Sequence, residues 1–220
     1  MPKYPLIPLL LMAITGFFHP AFSQDNSSGE WQLAKETDGI RVYLRERGDS
    51  PIKEFRAVGQ VSASMSSVVA LLIDAEAAPD WYNHVKEGRL LSEPARDSHL
   101  AYTALSFPWP LSDRDMISKF EYKKDKNTGS VRLQVQSVPD HLPPDDKMIR
   151  IKRLEGYWML TPLDGDVVEV RYQFFADPEG SIPGWLINMF LVEDPITAMK
   201  NLRDFVQKPK YQQAEIAFLK

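Results

Sequence analysis

Val168-Glu169-Val170-Arg171-Tyr172-Gln173-Phe174 alternates apolar and polar residues. A period of two belongs to a strand with one buried and one wet face. After Phe175-Ala176 come Asp177-Pro178-Glu179-Gly180-Ser181-Ile182-Pro183-Gly184, too rich in proline and glycine to continue it. From Pro183 to Gln207 the period lengthens to that of a helix, the longest such pattern in the chain. Trp185, Leu186, Met189 and Phe190 share its first face, and Ile196, Met199, Leu202 and Val206 the second. Between them Asp194-Pro195 reads as an N-cap with proline at the first helical position, a break in the helix. A strand, a sharp turn and a long amphipathic helix therefore close the chain.

Working back from there, the same alternation recurs at Ile40–Arg45, Phe55–Val61, Met116–Lys123 and Val131–Gln136. Clean alternation marks antiparallel sheet, because parallel strands are buried on both faces. Asp38-Gly39, Asn127-Thr128-Gly129 and Asp164-Gly165-Asp166 supply hairpin turns. Between Ile149 and Leu160 the apolar parity switches, which a bulge near Lys152-Arg153 would reconcile. Met65–Asp74 is helical, and Pro79 opens a short turn bearing Trp81, Tyr82 and Val85. About nine strands and one long helix make an α+β domain over residues 31–207, with 208–220 as a C-terminal tail. Such a sheet, curved over a helix, either fills with side chains or leaves a gap the size of a ligand.

The first residues differ from the body. Lys3 precedes an almost wholly apolar run from Tyr4 to Phe18, and Ala21-Phe22-Ser23 follows. This is the pattern of a secretory signal peptide over 1–23, cleaved near Ser23, with a flexible leader over 24–30. The expected location is exported, periplasmic in a Gram-negative cell. The whole chain has 220 residues, 44% hydrophobic and 25% charged, an ordinary globular balance. No cysteine is present, which removes thiol nucleophiles, disulfide scaffolds and iron–sulfur sites. A net charge of −4 argues against nucleic acid as a partner.

Three ordered segments carry a resemblance. Phe107-Pro108-Trp109-Pro110-Leu111-Ser112-Asp113-Arg114-Asp115 resembles the loop-to-strand signature of START domains, the StAR-related lipid-transfer family. Gly156-Tyr157-Trp158-Met159-Leu160-Thr161-Pro162 resembles that family's strand ending in proline, and Tyr172–Asn188 its last strand, turn and helix start. The resemblance implies a secreted bacterial member with a helix-grip fold, a curved antiparallel sheet wrapped around a long C-terminal helix. It implies an internal tunnel for one lipid or lipid-like molecule, closed by the loop Ser106–Asp115. It also implies binding or transfer between membranes rather than catalysis, with no cofactor, transient membrane contact and a monomeric state. Some sterol-binding members pair a buried arginine with an acid one strand earlier. Here Phe120 and Ala101 fall near those positions, so sterol specificity loses its usual support.

Candidate ligand contacts follow from presumed inward faces. Tyr102, Ser118, Tyr122, Tyr172 and Asn188 are polar groups that would fix a ligand's polar end, or else bond to one another and the backbone. Phe120 joins them on its strand. Trp185, Met189, Val192, Ile196 and Met199 on the helix either line the tunnel or form solid core. Phe107, Trp109, Leu111 and Arg114 belong to the gate. Arg114-Asp115 either orients a head group or fixes the loop, and Trp109 either touches membrane or packs beneath its own loop.

His84, His99 and His141 have no metal-ligand spacing and read as surface or core histidines, so no metal is expected. An alternative is a cyclase-like enzyme acting on a polyketide or aromatic substrate in the same cavity. It would need an inward acid–base group with a shifted pKa, and none stands out in the assigned strands. A third possibility, a protein-interaction module, requires a filled core. No Gly-x-Ser-x-Gly elbow, P-loop, dinucleotide-binding glycine run or His-Glu-x-x-His occurs.

Overall fold

The computed structural model describes residues 29–91 and 97–219. The expected signal peptide over 1–23 lies outside them, as does the leader over 24–30 apart from Gly29 and Glu30. Ten strands occur in the order β1 Gln32–Thr37, β2 Ile40–Arg47, β3 Ser50–Val61, β4 Val85–Leu90, β5 Ser98–Leu105, β6 Arg114–Lys124, β7 Val131–Ser137, β8 Ile149–Arg150, β9 Arg153–Pro162 and β10 Val168–Asp177. Helix α1 (Met65–Ile73) and the short α2 (Ala78–Trp81) lie between β3 and β4. Helices α3 (Gly184–Asn188), α4 (Asp194–Phe205) and α5 (Pro209–Gln212) follow β10.

The strands form one sheet in the order β1-β2-β3-β10-β9-β7-β6-β5-β4, every pair on this path antiparallel. The alternation of β10 does the work expected of it, since Val168, Val170, Tyr172 and Phe174 are buried on the concave face. At the first hairpin both Asp38 (φ 52°) and Gly39 (φ 70°) take the left-handed conformation. A two-residue turn matched to strand twist needs this, and Asp-Gly tolerates it. Register then carries a row across the concave face: His99, Phe120, Val135, Gly156, Phe174 and Phe55 stand on successive neighbouring strands. Gly156 is needed in that row because a Cβ there would lie 2.5 Å from the Phe174 ring.

Two expectations about chain breaks are corrected. No bulge joins β8 to β9. Instead β8 pairs in parallel with Arg114 and Asp115 of β6, and β9 starts afresh at Arg153, so each parity belongs to its own strand. Nor does Asp194 cap a new helix. It is buried, has helical dihedrals, and its N–H reaches back to the Met189 carbonyl across the wide π turn Met189–Glu193. Pro195 is the physical reason. It has no N–H for the Leu191 carbonyl and its ring crowds that oxygen, so the helix widens rather than stops. The segment after Gln207 is packed rather than trailing: Tyr211 is buried with its hydroxyl on Asp74 Oδ2 (3.0 Å), and Phe218 stacks on Tyr122.

Helix α4 covers only part of the concave face. Ile196, Met199, Leu202 and Val206 pack solidly with Ile40, Val42, Ala57, Val170 and α1. The remaining part, over β5, β6, β9 and the end of β10, is covered by the π turn and the segment 74–85, and is not filled.

Candidate functional cavity

The unfilled space is a cavity that admits the centre of a water molecule over about 260 Å³, within about 1500 Å³ of non-atom space once its mouth is counted. Its floor is the concave sheet: Phe55 of β3, His99, Ala101 and Thr103 of β5, Met116, Ser118 and Phe120 of β6, Trp158 of β9, and Tyr172 and Phe174 of β10. Trp158 and Tyr172 stack at 3.8 Å between ring centroids, and Phe55 meets Tyr172 edge-on at 4.9 Å. The roof is Ile187, Phe190, Leu191 and Asp194, with Trp81, Tyr82, Asn83 and His84 at the side.

Phe190 is where three segments meet. The Phe107 ring of the loop 106–113 lies 4.8 Å from it, and His84 meets it edge-on at 5.3 Å. Ser106 N–H bonds to the His84 carbonyl at 2.7 Å, which ties the loop to the side wall. The loop is anchored further by Arg114, which is fully buried. Its guanidinium lies 4.3 Å above the Phe107 ring and donates to the carbonyls of Ser112, Pro178 and Glu179. Desolvation pushes its pKa down, and the three carbonyls supply acceptors in place of water. Asp115 points to the convex side and forms a two-pronged pair with Arg150 at 2.8 Å on both arms. Arg114 and Asp115 thus fix the loop and take no place on the cavity wall.

Polar groups enter the cavity from the sheet, the side and the roof. His99 stacks on Phe120 (4.4 Å) with Nδ1 against the Tyr122 hydroxyl. Burial pushes its pKa down to about 4, so the ring is neutral at pH 7. Asp194 Oδ1 lies 3.4 Å from both His84 Nε2 and Asn83 Nδ2, and burial raises its pKa above the usual carboxylate range. Asp74 is already engaged, accepting from Ala77 N–H, Lys210 and Tyr211. The Tyr82 hydroxyl is pushed strongly up by desolvation, and further by the charge of Asp194.

Of the residues chosen from sequence, Ser118, Phe120, Tyr172 and Phe107 stand on the cavity wall. Tyr102 does not. It lies on the convex face with Ala104 and Ile117, beneath Leu142 and Met148, because β5 carries apolar residues on both parities and the inward set is His99, Ala101 and Thr103. Tyr122 is buried just past the wall, between His99 and Phe218. Val192, Ile196 and Met199 are solid core, Met189 is half-buried off the wall, Asn188 is exposed, and Trp185 is 64% exposed. The π turn rotates the helix, so the face on the cavity is 187, 190, 191 and 194 instead. Trp109 is 93% exposed rather than packed under its loop, and Leu111 is half-buried. The missed residues are His84, His99 and Asp194, none of which lies in a strand assigned from the sequence. Among the described residues no group of three His, Asp or Glu is arranged to hold a metal ion.

A START domain model matches residues 23–212. The chain belongs to the START domain family. Its START fold, an open antiparallel sheet of ten strands with a C-terminal helix, is α+β and of the helix-grip type. A StAR-related lipid transfer protein from Xanthomonas axonopodis superimposes with a TM-score of 0.74 and 40% identity, covering 81% of this chain and 99% of that one. An uncharacterised protein of Pseudomonas aeruginosa is 32% identical over 200 residues, 91% of this chain and 96% of its own length. The phosphatidylcholine transfer protein of Rattus norvegicus is 27% identical over 169 residues, 74% of this chain and 77% of its own. Against the START pattern, Phe120 and Ala101 both stand on the cavity wall. That wall has no lysine or arginine, and its charge comes instead from the roof and side.

Proposed function

We propose that this START domain is an exported bacterial carrier that holds a single lipid or lipid-like molecule in the cavity under Phe190 and moves it between membranes as a monomer. The observation that carries the reading is the unfilled half of the sheet, floored by Phe55, Phe120, Trp158, Tyr172 and Phe174 and roofed by the π turn. An apolar cavity in a close-packed core forgoes dispersion contacts that a guest can restore. Burying some 400 Å² of ligand at about 25 cal/mol/Å² supplies roughly 10 kcal/mol before association costs, enough for tight binding without a buried ion pair. The names of the Xanthomonas and rat relatives, both lipid transfer proteins, support the same reading.

Membrane contact is assigned to Trp109, exposed on the loop that Arg114 holds, and to Trp185, exposed on α3. Amphipathic aromatic rings favour the headgroup layer. The sequence pattern of residues 1–23 supports export. Among the described residues no helix is long and apolar enough to cross a membrane.

Native mass spectrometry after incubation with lipid vesicles tests the proposal. The expected result is one lipid mass per chain and delivery of that lipid to acceptor vesicles. A protein that takes up no lipid from vesicles of any composition would overturn it. The His84–Asp194 pair favours a second reading, acid–base work on a cavity-bound substrate, as in a cyclase. It predicts that recovered guest molecules are chemically altered, whereas carriage predicts that they are returned intact.

A further inference from the structure

The cavity wall is electrically one-sided. Its lining includes two carboxylates, Asp74 and Asp194, and no lysine or arginine. Asp74 is satisfied by Lys210, Tyr211 and the Ala77 N–H. Asp194 is not. Its Oδ1 has two contacts at 3.4 Å, near the limit of hydrogen bonding, and Oδ2 accepts nothing among the described residues. The groups facing it are His84, Asn83 and the hydroxyl of the half-buried Tyr82, while the neighbouring Glu193 is turned away onto Lys35 at 2.7 Å.

The same cavity wall is aromatic, with Trp81, Tyr82, Tyr172, Trp158 and Phe190. Tyr82 lies edge-on to Tyr172 at 6.2 Å and to Trp81 at 5.4 Å. Aromatic faces attract cations, and a desolvated carboxylate is stabilised by a positive or hydrogen-donating neighbour. An anionic head group would meet like charge and find no cation to pair with.

On the carrier reading above, we infer that the cavity selects guests whose polar end donates hydrogen bonds, a protonated amine best of all, and that Asp194 is the residue that selects them. A guest amine would take up Oδ2 while its alkyl chain ran along Phe120, Phe174 and Trp158. A long-chain alcohol would donate one bond to the same oxygen without cancelling its charge. A fatty carboxylate would have to be left at the mouth or take up a proton.

The experiment is competition, at neutral pH, between a neutral fluorescent alkyl probe and three guests of equal chain length: hexadecylamine, hexadecanol and hexadecanoate. The amine is expected to displace the probe at a concentration at least about tenfold below that of the carboxylate, with the alcohol between them. In Asp194→Asn the advantage of the amine over the alcohol should fall to less than about threefold. Hexadecanoate displacing the probe within about threefold of the amine in the unmodified protein would overturn the inference and leave carriage standing. An undiminished amine advantage in Asp194→Asn would overturn the role of Asp194. Displacement by none of the three would overturn carriage, and the inference with it. Should Asp194→Asn fail to fold, the ranking of the three guests in the unmodified protein still decides the selection.

Discussion

Replacing Ala101 by phenylalanine separates the stability of the fold from its capacity to hold a guest. Ala101 is 3% exposed, lies opposite Ser118 in the β5–β6 register, and faces the cavity. A phenyl ring there projects into open space rather than into packed atoms. Filling a natural cavity commonly stabilises by about 0.5–2 kcal/mol, which for a domain of this size raises Tm by about 2–6 °C. The same ring displaces about six carbons of any bound chain. At about 0.8 kcal/mol per buried carbon this costs the guest about 5 kcal/mol, a loss of affinity on the order of a thousandfold. The assay is titration of an environment-sensitive alkyl probe beside a thermal melt of the same sample. A variant that melts at or above the parent yet binds the probe with unchanged affinity would refute the reasoning, since the guest would then sit elsewhere.

Asp115→Asn breaks a buried two-pronged pair and leaves the Arg150 charge with only the Pro139, Leu142 and Pro143 carbonyls, so it should cost about 3 kcal/mol and lower Tm by roughly 10 °C in calorimetry, with little change in the affinity of the protein that stays folded. His99 has a native pKa of about 4 against an ordinary 6.5. The unfolded chain therefore binds more protons between these values, and stability falls as pH drops through that window, by about 2 kcal/mol at pH 5. Urea melts of His99→Gln should lack that part of the acid sensitivity, and an identical pH profile would exclude His99 as its source. The raised pKa of Asp194 acts with the opposite sign, its carboxylate being easier to protonate in the native state. Trp109→Ala with Trp185→Ala removes two exposed rings, and should slow vesicle-to-vesicle transfer at least about tenfold while equilibrium binding of a soluble probe holds. Unchanged transfer would remove these rings from the docking step.

Much of the architecture was legible because β2, β3, β6, β7 and β10 each alternate apolar and polar residues, and period two survives packing even where the polar face is itself covered, as at Arg45, Glu54 and Gln173. The hairpin at Asp38-Gly39 was legible for a local reason, the dihedrals that those two residues tolerate. The cavity wall was harder, and two features account for most of the difference. On β5 both parities are apolar, because residues 138–148 cover its convex side near Tyr102, so nothing in the string Ser98–Leu105 marks which face is inward. On the C-terminal helix the inward face depends on the π turn. One extra residue in that turn moves Phe190 and Leu191 onto the cavity and leaves Met189 off it. Pro195 is visible in the sequence, but Asp-Pro suits the start of a helix as well as a widened turn within one. His84 was hidden differently: it sits between α2 and β4 with φ 62°, a conformation that sequence pattern does not disclose.

The most direct test of the account is a crystal structure of the protein loaded with an alkyl amphiphile brominated at mid-chain, read by anomalous scattering. The account predicts one bromine peak per chain, enclosed by Phe120, Trp158, Phe174 and Phe190. Bromine only on the outer surface, over an empty cavity, would contradict it.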